Sequence, residues 1–218
     1  MITDTQLQKD ILEELKFQPN IREAEIGVAV KGGVVTLTGF VDSFAQKLAA
    51  ERAAENVNGV RAVAEELKVK LPSAFQRTDT EIAHAAVNAL KWNVEVPDTR
   101  IKVRVEGGWV TLEGDVDWKF QKSSAEESVR HLTGVKGLGN LLIVNQPRAS
   151  AYDVSQNIQS AFKRSATIDS QKISVEAKDG RVVLRGTVRS WAERQDAENA
   201  AWAAPGVATV DDRIAVGV

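Results

Sequence analysis

Apolar residues recur at every fourth position in three segments of the chain. This spacing keeps one face of an α-helix apolar, so each segment predicts an amphipathic helix. The residues are Leu7, Ile11 and Leu15; Ile82, Ala86 and Leu90; and Val154, Ile158 and Phe162. A period of two then follows, which is typical of a β-strand with one buried face. Its residues are Ile26, Val28 and Val30; Ile101, Val103 and Val105; and Ile173, Val175 and Ala177.

Glycine pairs, or an Asp-Gly pair, separate this strand from a second one. A tight type I′ turn requires two residues that tolerate positive φ, so the pairs predict β-hairpins. The pairs end at Gly33, Gly108 and Gly180, and the return strands end at Gly39, Gly114 and Gly186. An alanine-rich helix follows, for which left-handed glycine caps are predicted at Gly59, Gly134 and Gly206, and a last strand comes after it.

The same order of elements occurs three times. Gly39 and Gly114 are 75 residues apart, Gly114 and Gly186 are 72 apart, and nothing is inserted within a unit. Each unit reads α-β-β-α-β. We therefore predict an α+β fold of three tandem two-layer sandwiches, each a three-stranded sheet covered by two helices. The predicted domains are residues 1–71, 77–146 and 150–218.

Composition and charge narrow the class of protein. Of the 218 residues, 43% are hydrophobic and 27% are charged, as in globular proteins. A net charge of −2 gives no reason to expect a nucleic-acid partner. No apolar run reaches the roughly 20 residues of a transmembrane segment. The N-terminus has no basic region followed by an apolar stretch, which predicts a cytoplasmic location as written, or a periplasmic one if a leader was removed.

The candidate catalytic groups do not form a site in the sequence. His84 and His131 stand in no motif with a nucleophile or a metal-ligand spacing. Glutamates recur once per unit, at Glu51, Glu126 and Glu198, which suits a solvated helix face or a link to a strand better than paired acid–base chemistry. The glycines from Gly134 to Gly139 precede a strand and are interpreted as a cap and turn rather than a phosphate loop. We predict no enzyme, no cofactor and no metal.

Three sequence features resemble the BON domain, a bacterial module of α-β-β-α-β fold found in osmotically induced envelope proteins. They are V-T-L-x-G-x-V at Val35–Val41, Val110–Val116 and, more loosely, Val182–Val188; an A-E pair in the second helix; and a G-V-x-x-V ending. The resemblance covers nearly the whole chain. It implies a non-catalytic protein that associates with phospholipid surfaces in an envelope or osmotic stress response.

Residues that differ between the copies are the candidates for a binding surface. Tryptophan is enriched at interfaces and at the headgroup level of membranes, and the middle unit combines aromatic residues with lysines. The predicted lipid- or partner-binding residues are Trp92, Trp118, Lys119, Phe120, Lys122 and Trp202. Two alternatives stay open: tryptophans that pack between units of the chain, and a protein–protein scaffold or self-associating adaptor.

Overall fold

The computed structural model describes residues 2–147 and 149–217, so the predicted domain ends at Met1 and Val218 lie outside it. The chain forms three modules with one element order. The first contains α1 (Asp4–Phe17), β1 (Ile26–Lys31), β2 (Val34–Val41), α2 (Phe44–Glu55) and β3 (Ala62–Val69). The second contains α3 (Asp79–Trp92), β4 (Ile101–Glu106), β5 (Trp109–Val116), α4 (Lys119–Arg130), β6 (Gly137–Asn140) and β7 (Ile143–Val144). The third contains α5 (Ala151–Arg164), β8 (Ile173–Lys178), β9 (Arg181–Val188), α6 (Trp191–Trp202) and β10 (Thr209–Val216).

The sheet topology is the same in each module and confirms the predicted α+β fold. The first two strands form an antiparallel hairpin, and the third strand lies parallel to the second, which becomes the centre of the sheet. A parallel neighbour requires a crossover connection, which the second helix provides. In the middle module this third strand is divided into β6 and β7, both of which pair with β5.

The core of each module lies between its two helices and one face of its sheet. In the first module Leu7, Ile11 and Leu15 of α1 are buried against Val35 and Leu37 of β2. The predicted four-residue spacing of the helix therefore points inward, and of the predicted β1 positions Ile26 is buried while Val28 and Val30 are partly buried against the same core. Each fully buried side chain contributes about 1.5–3 kcal/mol by leaving water.

A glycine late in each return strand is required by a close backbone approach. Gly114 has a φ of +132°, and a Cβ atom there would lie 2.1 Å from the carbonyl oxygen of Arg100. Gly39 and Gly186 show the same approach to Glu25 and Lys172. The backbone just before the first strand of the hairpin contacts the return strand at this glycine, so no side chain fits between the two segments.

The second helices end earlier in the chain than predicted. Helices α2 and α6 end at Glu55 and Trp202, four residues before Gly59 and Gly206. These glycines have positive φ inside a following turn, which the amide of Val60 closes onto the carbonyl of Val57 in the first module. The predicted cap position is corrected accordingly: the residues directly after the helices, such as Asn56, keep a right-handed conformation.

An aspartate at the start of the first helix holds the hairpin turn in two modules. Thr78 caps α3, while the Asp79 carboxylate accepts the amides of both Gly107 and Gly108 at 2.8 Å. Asp4 makes the same pair of bonds to Gly32 and Gly33 in the first module, at 2.8 and 3.2 Å. The third module has Ala151 at this position, and its turn uses Asp179, which adopts a φ of +49°. Aspartate tolerates this conformation better than most residues do.

Replacing Asp79 by alanine is expected to destabilise the middle module by about 1–2 kcal/mol, because two charge-assisted hydrogen bonds to the turn are lost. Amide hydrogen exchange of β4 and β5 would measure the change. Asp153→Ala is the matched control, since Asp153 also lies in the first turn of a helix and is exposed. Equal loss of protection around β8 and β9 in that control would contradict the role of the carboxylate at the turn.

Candidate functional site

Trp92 closes α3 and projects into solvent. Its side chain is 88% exposed, and Val94, two residues later, is 99% exposed. Lys91 stands beside them in the last turn of the helix. Large apolar side chains left this far in water commonly mark a surface that contacts a partner or a membrane.

The segment that carries these two side chains is braced against α4. Asn93 donates from Nδ2 to the Ser128 hydroxyl at 2.9 Å, and its Oδ1 accepts the amide of Glu95 at 3.0 Å. The Ser124 hydroxyl donates to the Glu95 carboxylate. Residues 93 and 95 thus bind the module while residues 92 and 94 point away from it. The apolar side chains are presented on an ordered support rather than on a loose loop.

Phe120 lies on the same face of α4 as these braces. Residues 120, 124 and 128 are spaced by four, so they follow one stripe of the helix, and Phe120 is about one turn, roughly 6 Å, from Ser124. Its side chain is 52% exposed. We call Trp92, Val94 and Phe120 the apolar tip.

Lys119 and Trp202 are engaged with each other. Residues 116–119 group with the chain from Ile143 onward into one compact unit, and the rest of the first two modules forms another. Within the former unit, Lys119 Nζ lies 5.4 Å from the centroid of the Trp202 ring. Trp202 also donates from Nε1 to the Glu198 carboxylate at 3.1 Å and packs partly on the core of the third module. This cation–π pair holds the lysine over protein rather than directing it to lipid phosphate.

Lys122 has an internal role. Its Nζ donates to the carbonyl oxygen of Leu142 at 2.7 Å. Lys47 makes the equivalent bond to Leu67 at 2.9 Å in the first module and pairs with Glu65 at 2.8 Å. A lysine at this position therefore bonds the second helix to the segment of the third strand. Its presence is explained by the stability of the fold.

Trp118 occupies a position that serves as a helix cap in the other two modules. Ser43 and Ser190 accept the amides of Gln46 and Glu193 at 3.2 Å. An indole has no such acceptor, and the Trp118 side chain is 38% exposed. Exchanging a serine cap for a residue without an acceptor costs about 1 kcal/mol of helix stability. The middle module thus carries an aromatic residue where the fold favours serine.

Several exposed apolar residues lie outside the predicted set, among them Val94, Phe17 (81%), Leu141 (60%) and Ile143 (68%). The prediction from sequence rests on tryptophans and on the residues beside Trp118, so it does not include these positions. A comparison of the three copies would have indicated that Leu141 and Ile143 are exposed, because they align with charged or small residues. Leu141 aligns with Glu66 and Arg213, and Ile143 aligns with Lys68 and Ala215.

Trp109 explains the glycine cluster of the middle module. A methyl group on Gly137 would come within 2.2 Å of two carbons of the Trp109 ring, so the ring lies directly against this glycine. Gly134 lies in the turn after α4, whereas Gly137 and Gly139 belong to strand β6. Gly134 therefore belongs to a turn, as interpreted, but it does not cap α4, which ends four residues earlier at Arg130, and the other two glycines accommodate an aromatic ring.

The two histidines lie in different parts of the middle module. His84 is exposed on α3, and His131 follows α4 and contacts the Glu127 carboxylate at 3.1 Å. Across residues 2–147 and 149–217, no group of three or more His, Asp or Glu side chains is placed to hold a metal ion. In the same ranges, no helix combines the length and the apolar character that a membrane crossing needs.

Comparison with known proteins shows which domain family has this sequence pattern. The family model of the BON domain matches residues 3–70, 78–146 and 152–218. Osmotically-inducible protein Y of Escherichia coli (strain K12) is 31% identical over 141 residues, which cover 63% of this chain and 70% of that protein. A solved structure of CdsD, a structural protein of the type III secretion system of Chlamydia trachomatis, is 15% identical with a TM-score of 0.28. The aligned parts cover 96% and 91% of the two chains, but a score of this size does not establish a shared overall fold. With three matches that span almost its whole length, the chain belongs to the BON-domain family.

Proposed function

We propose that this protein is a non-catalytic binding protein that associates reversibly with phospholipid membrane surfaces through the apolar tip. The observation that carries the proposal is the braced pair Trp92 and Val94, exposed by 88% and 99% on a support fixed to α4. Membership of the BON family supports the membrane target. The name of the Escherichia coli relative, an osmotically inducible protein, supports a role under osmotic stress.

The chemistry of the tip suits the headgroup region of a bilayer. An indole ring is favoured at that depth, and Lys91 can reach phosphate while its stem lies along apolar surface. A single lysine near an anionic surface contributes only about 1 kcal/mol, so binding through one module is weak. Phe17 occupies the position of Trp92 in the first module and is 81% exposed, which offers a second contact. Linked weak contacts raise the overall affinity.

Replacing Trp92 and Val94 together by serine is expected to lower vesicle affinity at least tenfold, because about 1.4 kcal/mol is a factor of ten and two large apolar side chains exceed it. Co-sedimentation with phosphatidylglycerol-containing and zwitterionic vesicles, at low and high salt, measures the affinity. Tryptophan emission on the same samples should shift to the blue in the wild type and shift less in the variant.

Tyr152→Ser is the matched control, since Tyr152 is an aromatic residue of the third module that is 72% exposed and lies outside the tip. It should bind vesicles like the wild type. Charge reversal at Lys119 and Lys122 is a poor test, because both lysines already bond within the protein. Equal binding of the tip variant and the wild type, or no binding of the wild type to either vesicle, would contradict the proposal.

A second candidate function is a protein–protein scaffold, which is favoured by Leu141 and Ile143. Both are exposed, and they follow or lie in the third strand at an edge of the middle sheet. Exposed apolar residues along an edge strand favour pairing with another chain. A scaffold of this kind would show concentration-dependent mass in sedimentation without any response to vesicles.

A further inference from the structure

The middle sheet carries a shallow cavity of about 490 Å³ on the face that points away from its helices. Val110 and Leu112 of β5 are fully buried in the core, so the residues that alternate with them point to this outer face. The cavity is lined by one aromatic and three polar residues, which are Arg104, Glu106, Trp109 and Thr111. We call it the Trp109 site.

The strand register arranges the four lining residues in two rows. Glu106 lies opposite Trp109 in the first row, and Arg104 lies opposite Thr111 in the second. The Arg104 guanidinium is held at the edge of the site by Glu113, with 3.4 Å between Nη2 and Oε1. Since neighbouring strands are about 4.8 Å apart, the outer face of the three strands is roughly 10 Å wide.

Two glycines of β6 support the indole ring and keep the space beside it open. A Cβ atom at Gly137 would lie 2.2 Å from Cε3 and Cζ3 of Trp109 and 2.9 Å from Cδ2, so the six-membered ring lies over this glycine. The Trp109 side chain is still 51% exposed, which leaves its other face to solvent. A Cβ atom at Gly139 would lie 3.5 Å from the indole Nε1 and 3.9 Å from the Thr111 hydroxyl, so no side chain covers these two polar groups from β6.

The third module fills the same positions with charged side chains. Arg181 and Asp211 align with Trp109 and Gly139. The Arg181 guanidinium donates from Nη2 to the Asp211 carboxylate at 2.6 Å, and this ion pair occupies the space that is open in the middle module. The first module has Val34 at the position of the ring. The aromatic platform with an open side is therefore a property of the middle module's residues and not of the fold.

The charges around the Trp109 site decide which class of ligand fits it. The Arg104 guanidinium repels a cation placed over the ring, and the Glu106 carboxylate repels a phosphate group. An apolar group would cover these polar side chains without bonding to them, which is unfavourable. A sugar ring avoids all three penalties, because its C–H face lies against the electron-rich face of the indole while its hydroxyls donate to Glu106 and accept from Arg104.

We infer that the Trp109 site binds a neutral oligosaccharide, with one pyranose ring stacked on the indole. The roughly 10 Å width of the site gives room for two linked sugar rings. The inference is independent of membrane association through the apolar tip, because none of the lining residues belongs to the tip. A single stacked ring with a few exposed hydrogen bonds is expected to bind weakly, with a Kd of about 1 mM.

A titration followed by ¹H–¹⁵N NMR tests the site with cellotriose and with diacetylchitobiose, whose sugar rings carry equatorial substituents. The indole Nε1–H signal of Trp109 and the amide signal of Gly139 are expected to shift, and the indole signal of Trp202 is expected to stay. Sorbitol, which has hydroxyls but no ring, should leave all three signals in place, as should tetramethylammonium and inorganic phosphate. Absence of a shift with both oligosaccharides, or tighter binding of tetramethylammonium or phosphate, would overturn the inference.

Gly139→Asp copies Asp211 of the third module and is expected to weaken oligosaccharide binding at least tenfold, because its carboxylate fills the open side of the ring. The fold should tolerate this change, since the new Cβ meets Trp109 and Thr111 at ordinary contact distances. Trp109→Ala, which removes the ring, should have the same effect. Val34→Ala is the matched control, because Val34 is exposed at the aligned position, and it should bind like the wild type. Unchanged affinity in either folded variant of the site would overturn the assignment.

Discussion

Gly114→Ala is expected to destabilise the middle module by about 3 kcal/mol or more, which is enough to unfold much of a small domain. The added Cβ would lie 2.1 Å from the Arg100 carbonyl oxygen, and the φ of +132° is itself unfavourable for alanine. Neither problem can be relieved by a side-chain rotation, because the opposing atom belongs to the backbone. Amide hydrogen exchange resolved by module should show lost protection in β4, β5 and α4.

Gly107→Ala provides the control for this prediction. Gly107 also has positive φ, at +58°, but nothing lies within 4 Å of its Cβ position. The left-handed conformation alone costs about 1–2 kcal/mol, so this variant should keep most of its protection. Equal effects of the two substitutions would show that backbone conformation, and not the close approach to Arg100, limits position 114.

Glu193→Gln is expected to weaken the third module by about 2 kcal/mol at neutral pH. Glu193 is 4% exposed, and it is the one charged residue that is buried among the described residues. Its carboxylate accepts the amide of Asp169 at 3.0 Å and the amide of Arg189 at 2.9 Å, and the Arg189 guanidinium donates to it at 3.2 Å. The first module has Gln46 at this position, which accepts the amide of Asp42 at 3.0 Å, so glutamine fits here but cannot accept from both sides.

The same residue gives the third module a predictable response to acid. Burial alone would raise the pKa of Glu193, but hydrogen bonds from the Arg189 and Asp169 amides and the Arg189 guanidinium outweigh it and hold the pKa below its ordinary value of 4.5. A lowered pKa in the folded state means that this stabilisation is complete above 4.5 and is lost as the pH falls through the folded value.

Urea unfolding followed by module-resolved hydrogen exchange, between pH 7 and pH 3, measures both effects. The stability difference between wild type and Glu193→Gln should shrink on acidification. Glu176→Gln is the control, since this carboxylate is exposed and its pair with Arg185 is long, at 3.7 Å. A difference that stays constant down to pH 3 would contradict the ionised role of Glu193.

Features set by neighbouring residues in the chain could be predicted from sequence. The alternation in β1 and the Gly32-Gly33 turn determine the local backbone, so the hairpin and the α+β fold were predicted correctly. The end of α2 was misplaced, because Gly59 was assumed to stop the helix directly. Its left-handed conformation serves the next turn instead, and a glycine in a sequence does not show which turn it serves.

The candidate site depended on contacts between distant residues. Trp92 and Phe120 are predicted from residue type alone, whereas the link between the end of α3 and α4 comes from Asn93, which bonds to Ser128, 35 residues away. Sequence spacing offered no way to foresee that bond. The engagement of Lys119 by Trp202 is equally non-local. Residue type thus identified the aromatic side chains, while tertiary contacts decided which of them face solvent.

The bond between Asp79 and the hairpin turn affects how the chain can be divided into separately expressed parts. A fragment of the middle module that started at Ile82 would keep every buried position of α3, yet it would lack both the Thr78 cap and the carboxylate that orders Gly107 and Gly108. The practical start of that module is therefore fixed by two polar, surface-facing residues and not by its first core residue. In the third module, which has Ala151 in this place, a cut close to the helix would instead remove Gln146, whose side-chain oxygen accepts the amide of Gly206 at 2.6 Å.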